Sequence, residues 1–314
     1  TNISINWGDG GGTQGVADGN GGFTTHNYAE AGTYTITVTV NDTGKDIGRM
    51  YMNGDHPSRT MIKTIENWGD GKWESFSGAF DGATNLTIPA TDEPDLSLTT
   101  TLTKAFKGCS SFVGTTLKDW DVSTITNMKY LFEDTTLFNG DISSWNTALV
   151  TDMFGTFKGA AAFNDNIGNW NTAAVTTTQD MFKDAAAFNQ PLTHSGNSWN
   201  LANVIYMTNM FNGATAFSTA NYDIFLNSQA NNANINSDIT ITFSSKYTDA
   251  TSRNYLTGIK NWAIKDNGIA TTDTNIIDST APTVTIVTST KADGTYGEGE
   301  VIPVNVVFSE VVNV

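Results

Sequence analysis

Residues 153–170 read MFGTFKGAAAFNDNIGNW, and a closely similar segment returns about 25 residues later. The phenylalanine that opens each repeat recurs at spacings of 26, 26, 25, 25 and 29 residues, at Phe80, Phe106, Phe132, Phe157, Phe182 and Phe211. A second large apolar residue follows six positions later, at Leu86, Phe112, Phe138, Phe163, Phe188 and Phe217. Tryptophans recur in the same phase, at Trp120, Trp145, Trp170 and Trp199. This period predicts a solenoid, because one unit can bury its apolar face only against its neighbours.

Each repeat contains two patterns that predict secondary structure. DISSWNT, residues 141–147, predicts a short strand whose Ile142 and Trp145 face the core. LVTDMFGTFKGA, residues 149–160, has apolar residues at helical spacing and a glycine, Gly159, that is expected to end the helix. We therefore expect an α/β solenoid with coils of about 25 residues, which is the general form of a leucine-rich repeat, with registered aromatic residues in its core.

Two positions depart from the repeat pattern inside the expected core. Cys109 stands where other units have alanine and is interpreted as a small buried spacer. Thr178 stands where the neighbouring units have Met128, Met153 and Met207, which predicts one weaker core contact. The extra length before Trp199 falls in QPLTHSGNS, residues 190–198, a polar segment typical of a surface loop.

Charge and composition narrow the possible partners. The 314 residues carry a net charge of -16, from 16 basic and 32 acidic residues. This balance disfavours nucleic acid and anionic membrane surfaces, which need a basic footprint. It suits calcium or simple solubility. No apolar run approaches the length of a membrane span, and a single cysteine cannot form a disulfide within the chain. The absence of a signal peptide and the strand-like end lead us to expect a fragment of a longer exported precursor.

Catalytic residues are not expected. The three histidines, His26, His56 and His194, lack nucleophile or carboxylate partners in a consistent sequence pattern. No acidic pair recurs in the way that a glycosidase would need. The Asp-Gly of the two WGDG motifs, at Trp7 and Trp68, is interpreted first as a turn and only second as a calcium ligand.

The repeats resemble those of the BspA-like leucine-rich repeat surface proteins. The resemblance lies in LFEDTTLFNGDISSWNTALVTDM, residues 131–153, and in NMFNGATAFS, residues 209–218. It implies an N-terminal cap over residues 46–79, repeats over residues 80–220 and a C-terminal cap over residues 221–270. It also implies a bacterial cell-surface protein.

Both flanks resemble β-sandwich domains of extracellular proteins. Residues 1–45, with ISINWGDGGGTQ and THNYAEAGTYTITVTVND, resemble a polycystic-kidney-disease-type (PKD-like) segment whose glycine-rich stretch is expected to be loop. Residues 280–314 resemble the start of a bacterial Ig-like adhesin domain after a linker at residues 271–279. That resemblance implies calcium at the joint, for which Asp278 is the candidate ligand.

The recurring aromatic residues are interpreted as core, so the candidate ligand surface is the outward face of the predicted strands. It comprises Asp119, Asp121, Ser144, Asn146, Asn169, Asn171, Ser198 and Asn200. The first functional hypothesis is a non-enzymatic adhesion module that binds a protein or glycan of a host or neighbouring cell. The alternative is a structural subunit of an extracellular filament, sheath or S-layer-like assembly, completed by strands from copies of itself.

Overall fold

The computed structural model describes residues 3–16, 26–40, 46–49, 57–270, 284–289 and 304–308. The chain forms two compact units, Thr1–Ala270 and Thr271–Val314. The described strands of the first unit are β1 (Ile3–Asn6), β2 (Thr13–Val16), β3 (Thr37–Val40), β4 (Asp46–Arg49), β5 (Lys72–Ser75), β6 (Met207–Phe211), β7 (Thr240–Phe243) and β8 (Ala263–Lys265). Its described helices are a 3-10 helix (Pro57–Met61), α1 (Thr219–Ala230) and α2 (Ala250–Gly258).

The N-terminal segment forms a three-stranded antiparallel sheet with β1 between β2 and β3. The glycine-rich stretch was expected to be loop throughout, and this is wrong for Thr13–Val16, which pairs with β1 across the turn at residues 7–12. Glycine weakens a strand but does not forbid it, and the ladder to β1 supplies the backbone hydrogen bonds. Trp7 and Asp9 lie in this turn; the ring of His26 stacks on Trp7 at 4.9 Å, and the His26 Nε2 atom lies 2.7 Å from Asp9 Oδ2. These contacts agree with a structural role for His26.

Consecutive repeats stack through parallel backbone pairing. Residues 72–217, called the stack below, are linked by isolated parallel bridges at Thr101, Asn127, Asp152, Thr177 and Tyr206. The N–H groups of the repeating phenylalanines donate to carbonyls about one period later, from Phe106 to Leu131, for example, at 3.0 Å. Each unit is therefore held to the next by hydrogen bonds at the same positions.

The turns inside each unit replace the predicted helix. In residues 149–160, Lys158 N–H donates to the carbonyl of Gly155, but the N–H groups of Gly155, Phe157 and Gly159 donate to the following unit. Gly155 and Gly159 have φ of +59° and +69°. A positive φ every fourth residue is incompatible with an α-helix, and the backbone exchanges intrahelical bonds for bonds between units. The apolar spacing was correct, but its assignment to a helix was wrong.

The predicted strand at residues 141–147 is also a turn, and the parallel bridge lies further on, at Asp152. Ile142 and Trp145 are nevertheless buried, as the pattern predicted. Among the described residues, α-helix occurs only after the repeats, in α1 and α2. A coil in this chain is thus a run of turns with one bridging position, rather than a strand followed by a helix.

Two columns of phenylalanine rings fill the centre of the stack. Phe106, Phe132 and Phe157 follow one another at 5.7 Å between ring centroids, with interplanar angles of 7° and 14°. A parallel column runs through Phe112, Phe138, Phe163, Phe188 and Phe217. These columns confirm the predicted ladder of phenylalanines. Buried aromatic pairs of this kind contribute about 0.5–1.5 kcal/mol each beyond their buried area.

The tryptophans are buried as expected, but they stack less regularly. Trp145 and Trp170 are parallel, with 6.3 Å between centroids and 5° between planes. Trp120 instead meets Trp68 edge to face at 5.3 Å. The indole N–H of Trp145, Trp170 and Trp199 each donates to a backbone carbonyl of the preceding unit. A tryptophan therefore ties its unit to the one before it.

Cys109 and Thr178 both lie in the core. Cys109 is fully buried, its thiol contacts the carbonyl oxygen of Phe80, and burial raises the pKa of the thiol well above its ordinary value. This confirms the buried-spacer interpretation. Thr178 is also fully buried, and its hydroxyl has no hydrogen-bond partner among the described residues.

Both ends of the stack are covered. At the N-terminal end, β4 pairs in parallel with β5. Trp68 and Phe76 pack against Phe80 of the first unit, and Trp73 packs against both of them. At the C-terminal end, β6, β7 and β8 form a parallel sheet, and α1 packs on α2. The helices begin at side-chain caps, Ser218 for α1 and Asp249 for α2.

In the second unit, β9 (Val284–Ser289) and β10 (Val304–Phe308) form an antiparallel pair. These are the two segments whose alternation predicted strands. Asp278 and the linker at residues 271–279 lie outside the described residues.

Candidate functional site

The predicted ligand face divides into two sets, and the first set forms turns. Asp121, Asn146, Asn171 and Asn200 each accept a hydrogen bond from the backbone N–H two residues later. This is the Asx turn, in which a short side chain stands in for a backbone carbonyl. The Asp or Asn at these four positions is thus explained by the local turn.

The second set comprises Asp119, Ser144, Asn169 and Ser198. The hydroxyl of Ser144 donates to the carbonyl of Lys118 at 2.7 Å, and that of Ser198 donates to the carbonyl of Asn169 at 3.3 Å. The side chains of Asp119 and Asn169 are exposed and make no side-chain hydrogen bond within the described part of the chain. Of the eight predicted residues, these two present polar groups that are not used by the fold.

A different surface concentrates positive charge around an aromatic ring. The ammonium groups of Lys107, Lys129 and Lys158 lie 5.4, 5.3 and 5.9 Å from the centroid of the Tyr130 ring. Phe154 meets Tyr130 edge to face at 5.0 Å, and Lys129 lies 4.8 Å from its centroid. These five residues, together with Glu133 beneath them, are called the Tyr130 patch.

Glu133 organises the lysines of the Tyr130 patch. It is 4% exposed, and its two oxygens lie 2.5 Å from Lys107 Nζ and 2.7 Å from Lys158 Nζ. Burial alone would raise the pKa of Glu133, but the hydrogen bonds from both lysines outweigh burial and hold that pKa below its ordinary value. Burial, aided by the Glu133 carboxylate, raises the pKa of Tyr130. Glu133 is therefore ionised and Tyr130 neutral at pH 7.

Backbone geometry fixes the Tyr130 ring on the surface. Tyr130 has φ of +57°, and the ring covers Gly155 of the next unit, where a methyl group would come within 2.6 Å of the ring. Gly155 is needed both for its own positive φ and for this close approach. The sequence contained a signal for the patch: Lys104, Lys107, Lys129, Lys158 and Lys183 occupy the same stretch of four consecutive units, in a chain with only 16 basic residues.

The described surface has two open cavities of note. The larger, about 530 Å³, lies between the 190–198 loop and the two helices and includes His194, Asp223 and Asp249. Its carboxylates serve the fold: Asp223 accepts hydrogen bonds from the N–H groups of Thr248 and Asp249, and Asp249 caps α2. The smaller, about 430 Å³, is lined by Asp70, Glu93, Asp95 and Asp121 among others.

Metal-binding and membrane-spanning features were also considered. No group of three or more His, Cys, Asp or Glu side chains in the described residues is arranged to hold a metal ion. The described helices include none with the length and apolarity needed to cross a bilayer.

Comparison with known proteins finds one family that the repeats resemble. No curated protein and no solved structure matches the chain. Residues 100–225 match a family described as "Mycoplasma protein of unknown function, DUF285". The match includes the repeating phenylalanines Phe106, Phe132, Phe157, Phe182 and Phe211, and it ends within α1. The repeat region is thus similar to a family of mycoplasma proteins.

Proposed function

We propose that this chain is part of an extracellular bacterial surface protein, in which residues 57–270 form a solenoid of the leucine-rich-repeat class that acts as a non-enzymatic binding or adhesion module. The observation that carries the proposal is that each unit combines constant framework positions with variable outward positions. Backbone pairing and phenylalanine columns occupy the same positions in every unit, while charge and size vary at outward positions such as Asp119 and Asn169. A fixed framework with a variable surface suits recognition of an extended partner.

Other features are compatible with this role. The similarity of residues 100–225 to a mycoplasma family agrees with a bacterial origin of the repeats. Carboxylates in the larger cavity are used as caps and turn acceptors, which favours binding over catalysis. In this proposal the PKD-like and Ig-like segments are spacers, and Asp278 contributes to a calcium site at the joint. The partner is a surface protein or glycan of a host or neighbouring cell; no part is assigned to nucleic acid or to insertion in a membrane.

The experiment measures adhesion of beads coated with the 314-residue chain to host and bacterial cells. We expect saturable binding that soluble chain competes away. Asn169→Arg should weaken it, because a bulky cation would stand on the outward face. Asn254→Arg on α2 is the matched control, since Asn254 is also exposed and its side chain makes no hydrogen bond among the described residues. Adhesion equal to that of albumin-coated beads on every cell type would refute the proposal.

One observation favours the alternative, a structural subunit of a filament or sheath. Strand β8 pairs only with β7 among the described residues, so Ala263–Lys265 is the last strand of the parallel sheet, and its Ile264 carbonyl accepts a hydrogen bond from the Arg253 side chain. Such an edge can accept a strand from another copy. Sedimentation at increasing concentration separates the two functions: an open-ended series of masses supports the filament, and a constant monomer mass supports the adhesion module.

A further inference from the structure

We propose that the Tyr130 patch binds an anionic polysaccharide, with one sugar ring lying on Tyr130 and a carboxylate or sulfate group held by the surrounding lysines. The patch shares no residue with the outward face that contains Asp119 and Asn169. The inference extends the proposed binding function to a ligand class, but it can be tested without any cell.

The first argument is that the positive charge of the patch is only partly compensated. Three ammonium groups lie within 6 Å of one ring centroid, and one buried carboxylate, Glu133, pairs with two of them. The carboxylates of Asp81 and Asp134 also attract Lys107 and Lys158, respectively. Lys129 has no salt bridge among the described residues. An external anion could therefore pair with Lys129, in a chain whose net charge is otherwise strongly negative.

The second argument is preorganisation. Glu133 is buried and fixes Lys107 and Lys158 from below, so their ammonium groups stay beside the ring. Tyr130 is fixed by its positive φ and by its contact with Gly155. Because these side chains are already ordered, a ligand loses less free energy in ordering them.

The third argument identifies the ligand class. Lysines alone would suit any polyanion, but the partly exposed Tyr130 ring and the neighbouring edge of Phe154 add an apolar platform. A sugar acid combines an apolar C–H face, which stacks on an aromatic ring, with an anionic group for the lysines. An acidic peptide or the acidic surface of a second copy would use the lysines without needing the ring.

The fourth argument is the placement of further lysines along the axis of the stack. Lys104 occupies the position of Tyr130 in the preceding unit, and Lys183 occupies the position of Lys158 in the following one. Asp180 occupies the position of Tyr130 two units later, and its charge also reaches Tyr130. Paired backbones lie about 4.8 Å apart, so Lys104 and Lys183 lie along the stack on either side of Tyr130. A linear polymer that runs along the stack can contact them all.

The experiment titrates the 314-residue chain with four probes: heparin-derived oligosaccharides, hyaluronan oligosaccharides, neutral dextran of equal length and polyglutamate. We expect binding to at least one anionic oligosaccharide, weakening with added salt, and none to dextran. Tyr130→Asn should weaken binding about tenfold through loss of the platform. Asparagine is chosen because Asn209 occupies the equivalent position with φ of +59°, so the fold tolerates it there.

Lys129→Ser should weaken the same binding about fivefold, since it removes the unpaired ammonium group. Lys118→Ser is the matched control: Lys118 is an exposed lysine that forms a salt bridge with Asp141 and is not a member of the patch. Circular dichroism and thermal unfolding verify that each variant is folded.

Three results would overturn the inference. The first is no binding to either anionic oligosaccharide. The second is equal affinity for polyglutamate with no effect of Tyr130→Asn, which would mean non-specific charge attraction. The third is salt-sensitive association of the chain with itself that Lys129→Ser abolishes, which would assign the patch to a second copy. Oligosaccharide binding without cell adhesion would leave this inference standing and refute only the proposed adhesion.

Discussion

A methyl group at Gly159 would lie 2.3 Å from the Oδ1 atom of Asp134, one unit earlier in the stack. Gly213 stands in the same relation to Asp184, two repeats further on. All four residues have positive φ, between 57° and 82°. In both pairs, the glycine of the next unit leaves the space that the aspartate carboxylate occupies.

The first prediction concerns this pair. Gly159→Ala should destabilise the chain by about 2–4 kcal/mol, because left-handed strain of about 1 kcal/mol adds to displacement of the Asp134 carboxylate. Gly196→Ala is the control, since Gly196 has φ of +60° but no neighbouring atom within 4 Å of the new methyl group. Gly196→Ala should be destabilised only by the left-handed strain, by about 1 kcal/mol. Urea denaturation measures both.

The double variant Asp134→Gly with Gly159→Ala separates strain from contact. If the carboxylate causes the excess cost, Asp134→Gly should recover most of it, giving a coupling free energy of about 1–2 kcal/mol. Additive effects in this cycle would show that the contact with Asp134 is not responsible.

The second prediction concerns Thr178. Its hydroxyl is buried without a partner, so Thr178→Val, which keeps the shape, should stabilise the chain by about 1 kcal/mol. Thr135→Val is the opposite case, because the Thr135 hydroxyl donates to the carbonyl of Phe106 at 2.7 Å. That change should destabilise by about 1 kcal/mol. Denaturation midpoints that move in the same direction for both variants would contradict the argument.

The third prediction tests whether tryptophan hydrogen bonds link the units. The Trp170 indole N–H donates to the Ile142 carbonyl at 3.0 Å, whereas the Trp120 N–H has no partner among the described residues. Trp→Phe removes the same volume at either site. Trp170→Phe should therefore cost about 1 kcal/mol more than Trp120→Phe in free energy of unfolding. Equal costs would mean that packing alone matters.

The sequence determined the period and the core better than it determined the secondary structure. Every phenylalanine of the two columns was identified from spacing, because a buried column needs the same residue type in each unit. The helix at residues 149–160 was mistaken because turns that place an N–H toward the next unit reproduce the three-residue apolar spacing of a helix. The distinguishing signal was the recurrence of Gly, Asp or Asn four residues apart, as in Gly155 and Gly159.

The candidate site was predicted less well. Asp121, Asn146, Asn171 and Asn200 were chosen as outward polar residues, but Asp and Asn also recur wherever a turn needs a side-chain acceptor. The Tyr130 patch was missed because its members come from three neighbouring units and no single repeat contains all of them. Alignment of the units shows the lysines in adjacent positions, but the packing of the Tyr130 ring on Gly155 depends on backbone geometry.

The last prediction is the pH dependence that Glu133 contributes. Its pKa is lower in the folded chain than the ordinary value of about 4.3, so its contribution to stability is fully present above that pH. The contribution is lost as the pH falls through the lower folded pKa, since the unfolded chain then binds the proton first. Glu133→Gln should be less stable than wild type by about 1–3 kcal/mol at pH 7, and the difference should shrink below about pH 4.3.

Urea denaturation of both chains from pH 3 to pH 8 measures that difference. Asp119→Asn serves as the control, because Asp119 is exposed and has no ion pair among the described residues, so its difference from wild type should stay near zero. A Glu133→Gln difference that is constant with pH would mean that the side chain contributes by shape alone. In that case the charge of Glu133 would not be what holds Lys107 and Lys158 beside Tyr130.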